Sequence, residues 1–116
     1  MIFLFLGRFA APKTAIETEF RMPKGYWIAH VTVTNPDKYA VYAAATALPF
    51  KLYGANVLAR GGEYTALEGE DRSRNVVIEF ESYQKALDCY NSPEYQNARK
   101  NRVCAGIAQI TIVEGA

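Results

Sequence analysis

Long hydrophobic runs, histidine and cysteine are all scarce in this 116-residue chain, and neither sign of charge dominates. No apolar run is long enough for a helix to cross a bilayer, so no membrane span is expected. The one histidine, His30, has no cysteine or carboxylate at metal-ligand spacing, so neither a metal nor haem, nor any other cofactor, is expected. The two cysteines, Cys89 and Cys104, match no metal or redox motif. Two reduced thiols and a cytoplasmic setting are the expectation. Thirteen basic residues stand against 12 acidic ones, a net charge of +1. That balance gives no electrostatic case for nucleic acid or an acidic membrane surface. There is no P-loop, no dinucleotide fingerprint and no readable Ser/His/Asp arrangement.

Half the residues are apolar and 22% are charged, an ordinary globular balance. The length predicts one domain with a small core, for which pairing with a second copy is an added source of burial. "MIFLFLGRFAAP" is a poor signal peptide, because its apolar run is only Ile2 to Leu6 and no basic residue precedes it. Met22 is a more natural start. Residues 1–21 are therefore expected to be an upstream extension or a mis-assigned start, and 22–116 the domain. Within the leader, Ile2–Leu6 is a candidate edge strand and "PKTAIETEFR" a candidate short helix.

"YWIAHVTV" (Tyr26–Val33) is rich in aromatic and β-branched residues and reads as a strand. Asn35 is a helix N-cap with Pro36 at the first helical position, and Tyr39, Tyr42, Ala43 and Thr46 recur at helical spacing. Pro49 should kink or restart this helix and Gly54 should end it. Ala55–Gly62 and Ser73–Phe80 read as strands two and three, joined by a long charged connection. Ser82 caps a helix to about Tyr90. Ser92 and Pro93 open another, expected to reach about Val103. Ile107–Val113 is the last strand. The order β-α-β-β-α-β is the ferredoxin-like motif, an α+β fold. It predicts an antiparallel four-stranded sheet of order 4-1-3-2 with both helices on one face.

Side-chain alternation splits each strand into two sets. Trp27, Ala29, Val31 and Val33 are wholly apolar, as are Val76, Ile78 and Phe80, and these belong under the helices. Tyr26, Ile28, His30, Leu58, Arg60, Val77, Glu79, Gln109 and Thr111 share the other face. That face is too apolar to be simply wet and too polar to be a sealed core. Gln109, His30, Glu79 and Arg60 are expected as one row across it, with Glu79 shared between Arg60 and His30.

Several segments carry a family likeness: "DKYAVY" (Asp37–Tyr42), "RGG" (Arg60–Gly62), "LEG" (Leu67–Gly69), "VVIEF" (Val76–Phe80), "YNSPEYQNAR" (Tyr90–Arg99) and "VEG" (Val113–Gly115). Together they resemble the domain-of-unknown-function family 1330, over about Met22 to Ala116. The resemblance implies a dimeric α/β barrel, in which two ferredoxin-like sheets pack face to face. Relatives in that superfamily include cofactor-independent monooxygenases, haem-using enzymes and small stress proteins. The family itself has no established reaction, and fold analogy does not supply one.

His30 is a candidate general base oriented by Glu79; its plainer role is a hydrogen-bonded structural histidine. Arg60 suits a substrate carboxylate or enolate; its plainer role is an ion pair with Glu79. Tyr39, Tyr42, Tyr90 and Tyr95 are either pocket walls or helix–sheet packing. Tyr26, Ile28, Leu58, Gln109, Tyr39 and Tyr42 are the candidate ligand contacts. Three functions fit this pattern. The first is a metal-independent homodimeric enzyme acting on a small, partly apolar carbonyl or carboxylate compound, in a cavity on the sheet face. The others are a non-catalytic small-molecule-binding or stress protein of the same shape, and a purely structural dimer.

Overall fold

Alternation along Gly25–Val33 (β1) decides which face of the sheet is covered. Trp27, Ala29 and Val31 are buried, His30 between them is exposed, and Tyr26 and Ile28 are half-buried. The computed structural model describes residues 23–116. The expectations for 1–21, including the Ile2–Leu6 strand and the short leader helix, lie outside the described residues.

After β1 come α1 (Pro36–Ala45), α2 (Ala47–Leu52), β2 (Asn56–Arg60), β3 (Arg74–Phe80), α3 (Tyr83–Asn91), α4 (Pro93–Arg99) and β4 (Gly106–Glu114). The strands form one antiparallel sheet in the order β2-β3-β1-β4. This is the expected ferredoxin-like topology, with each crossover carrying two short helices. Tyr39 and Tyr42 of α1, Ala86 and Cys89 of α3, and Tyr95 and Ala98 of α4 share one core cluster with Trp27, Ala29, Val31, Ile78 and Phe80 of the sheet. The helices therefore cover a single face. Trp27 is the hub of that core. Its ring meets Phe50, Phe80, Tyr90 and Tyr95 at centroid distances of 5.0–5.8 Å. Its Nε1–H donates to the Ala86 carbonyl at 2.9 Å, so the buried indole leaves no donor unmet.

The helix starts follow from capping chemistry. Asn35 Oδ1, Ser82 Oγ and Ser92 Oγ accept from the backbone N–H of Lys38, Lys85 and Tyr95, at 3.1, 3.0 and 3.1 Å. Ser92 Oγ also donates to the Cys89 carbonyl at 2.7 Å, joining the end of α3 to the start of α4. The first crossover breaks at Thr46, three residues before the proline expected to break it. Pro49 instead lies in the first turn of α2, where a helix has no partner for an N–H and proline costs little. Gly54 ends this unit with φ +70°. Helix α4 stops at Arg99 and gives way to turns before the expected Val103.

Two expectations about the open face are corrected. Val57 pairs with Ile78, but Ala59 pairs with Val77 and Arg60 with Val76. Leu58 and Ala59 thus oppose one residue, which is a β-bulge. The extra residue reverses the alternation, so Arg60 shares a face with Val57 and Val76, under the helices. The expected row also differs. His30 is opposite Asn75 on β3 and Gln109 on β4, whereas Glu79 is opposite Tyr26. Four residues of strand separate Tyr26 from His30, roughly 13 Å. Glu79 therefore meets neither His30 nor Arg60.

Candidate functional site

Between the sheet and the helices lies a cavity of about 160 Å³, walled by Trp27, Val31, Tyr39, Tyr42, Phe50 and Ile78. Three arginines line it: Arg60, Arg74 and Arg102. Each arrives by a different local device. Arg74 opens β3 with the same parity as Val76, Ile78 and Phe80, and it pairs with buried Val31. Arg60 is turned in by the bulge and stays exposed at the mouth. Arg102 comes from the turn after α4, where its N–H bonds the Arg99 carbonyl at 2.9 Å.

Arg74 and Arg102 are half-buried, and both are stacked. The guanidinium carbon of Arg74 is 5.2 Å from the centre of the Tyr39 ring, and that of Arg102 is 5.2 Å from the centre of the Tyr42 ring. Such stacking favours the cation electrostatically and occupies the flat face of the guanidinium, leaving its donor edge. The Nε of each is buried with no hydrogen-bond partner among the described residues. A buried donor left unpaired costs about 1–3 kcal/mol, more when charged. Gly61 makes room for this geometry. It has φ +67°, and a Cβ there would stand 2.9 Å from Arg74 Nη1.

Tyr42 and Tyr95 share a 2.8 Å hydrogen bond between their hydroxyls. Burial raises the pKa of both. Burial also opposes the Arg102 charge, but the Tyr95 and Tyr42 oxygens outweigh it and hold the Arg102 pKa above its ordinary value. The cavity thus presents protonated phenols and cationic guanidiniums, and no Asp, Glu, His or Cys lines it. Its charged groups only donate, and its hydroxyls can donate as well. It can hold an acceptor-rich group, or stabilise negative charge developing on an oxygen.

Of the candidate ligand contacts, Tyr39 and Tyr42 line this cavity. Tyr26 and Gln109 are on the opposite face: Tyr26 donates to Glu79 Oε2 at 3.0 Å, and Gln109 Oε1 accepts from Arg72 Nε at 2.9 Å. Ile28 is half-buried on that same face, and Leu58 is exposed at the bulge. The hydrogen bond to Glu79 raises the Tyr26 pKa. Asn56 Nδ2 adds a 3.4 Å contact to Glu79. His30 Nδ1 is 2.7 Å from Asn75 Oδ1 and borders a separate cavity of about 360 Å³ under the β2–β3 loop, with Tyr64, Glu68, Glu70 and Arg72. Arg60 and the pair His30 and Glu79 therefore stand on opposite sides of the sheet. No cluster of three metal-ligating side chains occurs among the described residues.

Arg74 and Arg102 escaped the sequence reading. A signal existed for Arg74: counting two back from Val76 puts it under the helices. Arg102 has none, because it belongs to an irregular turn.

The fold and the cavity define a two-layer ferredoxin-like α+β protein with a cationic chamber beneath its helices. The chain belongs to the family described as Domain of unknown function (DUF1330), whose model matches residues 24–116. No curated protein matches the sequence. Among solved structures it is similar to RPA0582 of Rhodopseudomonas palustris, a protein of unknown function. The TM-score is 0.63 at 18% identity, covering 93% of this chain and 95% of that one. It is also similar to a dimeric ferredoxin-like protein of unknown function from Thermobifida fusca YX, with TM-score 0.55, 11% identity, and coverage of 82% and 93%. A third is SnoaB, a cofactor-independent oxygenase from Streptomyces nogalater, with TM-score 0.53, 12% identity, and coverage of 81% and 94%. At these identities the likeness shows the fold alone. No helix among the described residues is long and apolar enough to cross a membrane.

Proposed function

We propose that this protein binds a small organic anion, with a carboxylate or enolate head and an apolar body, in the cavity between sheet and helices. The observation that carries the reading is the pair of stacked, half-buried arginines whose Nε donors lack partners. Aromatic walls take the body, and the guanidinium edges take the head. Arg60 at the mouth draws the anion in. The working form is a homodimer joined through the open face of the sheet, which Ile28, Val77, Ile107 and Val113 share by strand parity. The dimeric Thermobifida fusca relative supports that assembly. Two free thiols are consistent with a cytoplasmic setting.

A second reading makes the protein an enzyme. The same guanidiniums would stabilise an enolate as charge moves onto a carbonyl oxygen, while a water entering at the mouth takes the α-proton, because no side-chain base lines the chamber. It is favoured by the donor character of the cavity. His30 and Glu79 take no part in it, because the sheet separates them from the chamber.

Titration calorimetry with benzoate and hexanoate tests binding. Saturable heat that weakens in Arg74→Ala and in Arg102→Ala, and disappears when both are replaced, is expected. Absence of saturable binding by any small carboxylate, or binding untouched in both variants, would remove the anion cavity. For the enzyme reading, NMR would follow protein-catalysed exchange of the α-protons of a 2-oxo acid in D₂O. Exchange no faster than in buffer would leave binding alone.

A further inference from the structure

We infer that the ligand carries two acidic groups, one for each half-buried guanidinium, so that the cavity is built for a small dicarboxylate. This deepens the anion-binding reading and rests on it. Arg74 comes from the first residue of β3 and Arg102 from the turn after α4, so two different elements deliver them to the chamber. Each lies on its own tyrosine, and the Tyr39 and Tyr42 rings stand 5.2 Å apart. The stacks hold the guanidiniums as separate forks. Each fork keeps a buried Nε–H without a partner among the described residues. A guanidinium edge matches one carboxylate through two parallel hydrogen bonds. Two such edges therefore match two carboxylates.

Charge leads to the same conclusion. No acidic side chain lines the chamber. A monoanion would leave one half-buried cation uncompensated, which is costly in an apolar setting. A dianion neutralises both, while exposed Arg60 remains solvated at the mouth. Size limits the rest of the ligand. A chamber of about 160 Å³ holds a body near that of one benzene ring, for which a cavity of about 150 Å³ suffices. The ligand is then a single ring or a chain of similar bulk with an acid at each side.

The test compares matched pairs on the full-length protein by calorimetry: isophthalate against benzoate, and adipate against hexanoate. The diacid of at least one pair should bind about tenfold tighter or better, with a steeper loss as salt rises. Arg74→Ala and Arg102→Ala, checked by circular dichroism for an intact fold, should each reduce the diacid to the level of its monoacid. If monoacids bind within about threefold of their diacids, the two-acid inference falls and the anion cavity stands. If neither class binds, both fall.

Discussion

The guanidinium of Arg102 lies over the ring of Tyr42, and the hydroxyl of that ring is hydrogen-bonded to Tyr95 at 2.8 Å. A cation, a π face and a buried phenol pair thus form one unit joining the turn after α4 to α1. Two buried hydroxyls that bond each other have one proton to spare. One hydroxyl of the pair donates to the other, and Tyr42 is the member that lines the chamber. The hydroxyl pair and the arginine edge then ask for the same kind of ligand atom, an acceptor oxygen.

Arg74 keeps a buried Nε–H without a partner among the described residues, and such a donor costs stability. Arg74→Leu should therefore raise stability by about 1 kcal/mol while weakening diacid binding to the monoacid level. Urea unfolding gives the first number and calorimetry the second. A destabilised Arg74→Leu protein would show that the guanidinium is structural.

Gly61→Ala should destabilise by about 1–2 kcal/mol, from a left-handed backbone that a side chain resists. The new methyl also crowds Arg74 Nη1, so carboxylate affinity should fall with stability. Gly62→Ala, where a Cβ would meet nothing within 4 Å, is the control and should change neither.

Alkaline pH should weaken the fold in a defined window. Burial lifts the Cys89 thiol from 9.0 to about 12 and lifts Tyr42 above its ordinary 10.0. Each group holds its proton more tightly when folded. Its contribution is complete below the unfolded value and is lost as pH rises through the folded one. Urea midpoints should hold up to about pH 9 and decline from there towards 12. Cys89→Ala should flatten the lower part of that decline and Tyr42→Phe the upper part. A flat profile in the parent protein would contradict the burial of both groups.

His30→Ala should leave carboxylate binding unchanged, because the imidazole lies across the sheet from the chamber and bonds Asn75. Loss of binding in a folded variant would move the site to the open face of the sheet, where His30, Tyr64 and Arg72 line the second cavity.

Ile28 is paired with Val77 and Thr111 at the centre of the open face. Ile28→Glu should convert the proposed dimer to a folded monomer, seen by sedimentation. A variant that remains dimeric would place the interface elsewhere.

Much of this architecture was legible beforehand. Capping serines and Asn35, prolines at helix starts and apolar alternation all act within a few residues. They marked every described element to within a few positions, except the helix break at Thr46 and the early end of α4. The candidate site was only partly legible. Tyr39 and Tyr42 were marked as pocket candidates, Arg74 was passed over although strand parity carried it, and the bulge at Leu58–Ala59 sent Arg60 to the face opposite the one alternation predicted.

The sequence alone determined the order of strands and helices and which apolar residues meet beneath them, because period and capping are local properties of the chain. Tertiary structure alone decided that Arg60, Arg74 and Arg102 share one chamber and that Glu79 and His30 do not join them. A bulge exists only against a partner strand, and an irregular turn has no period from which its direction can be read.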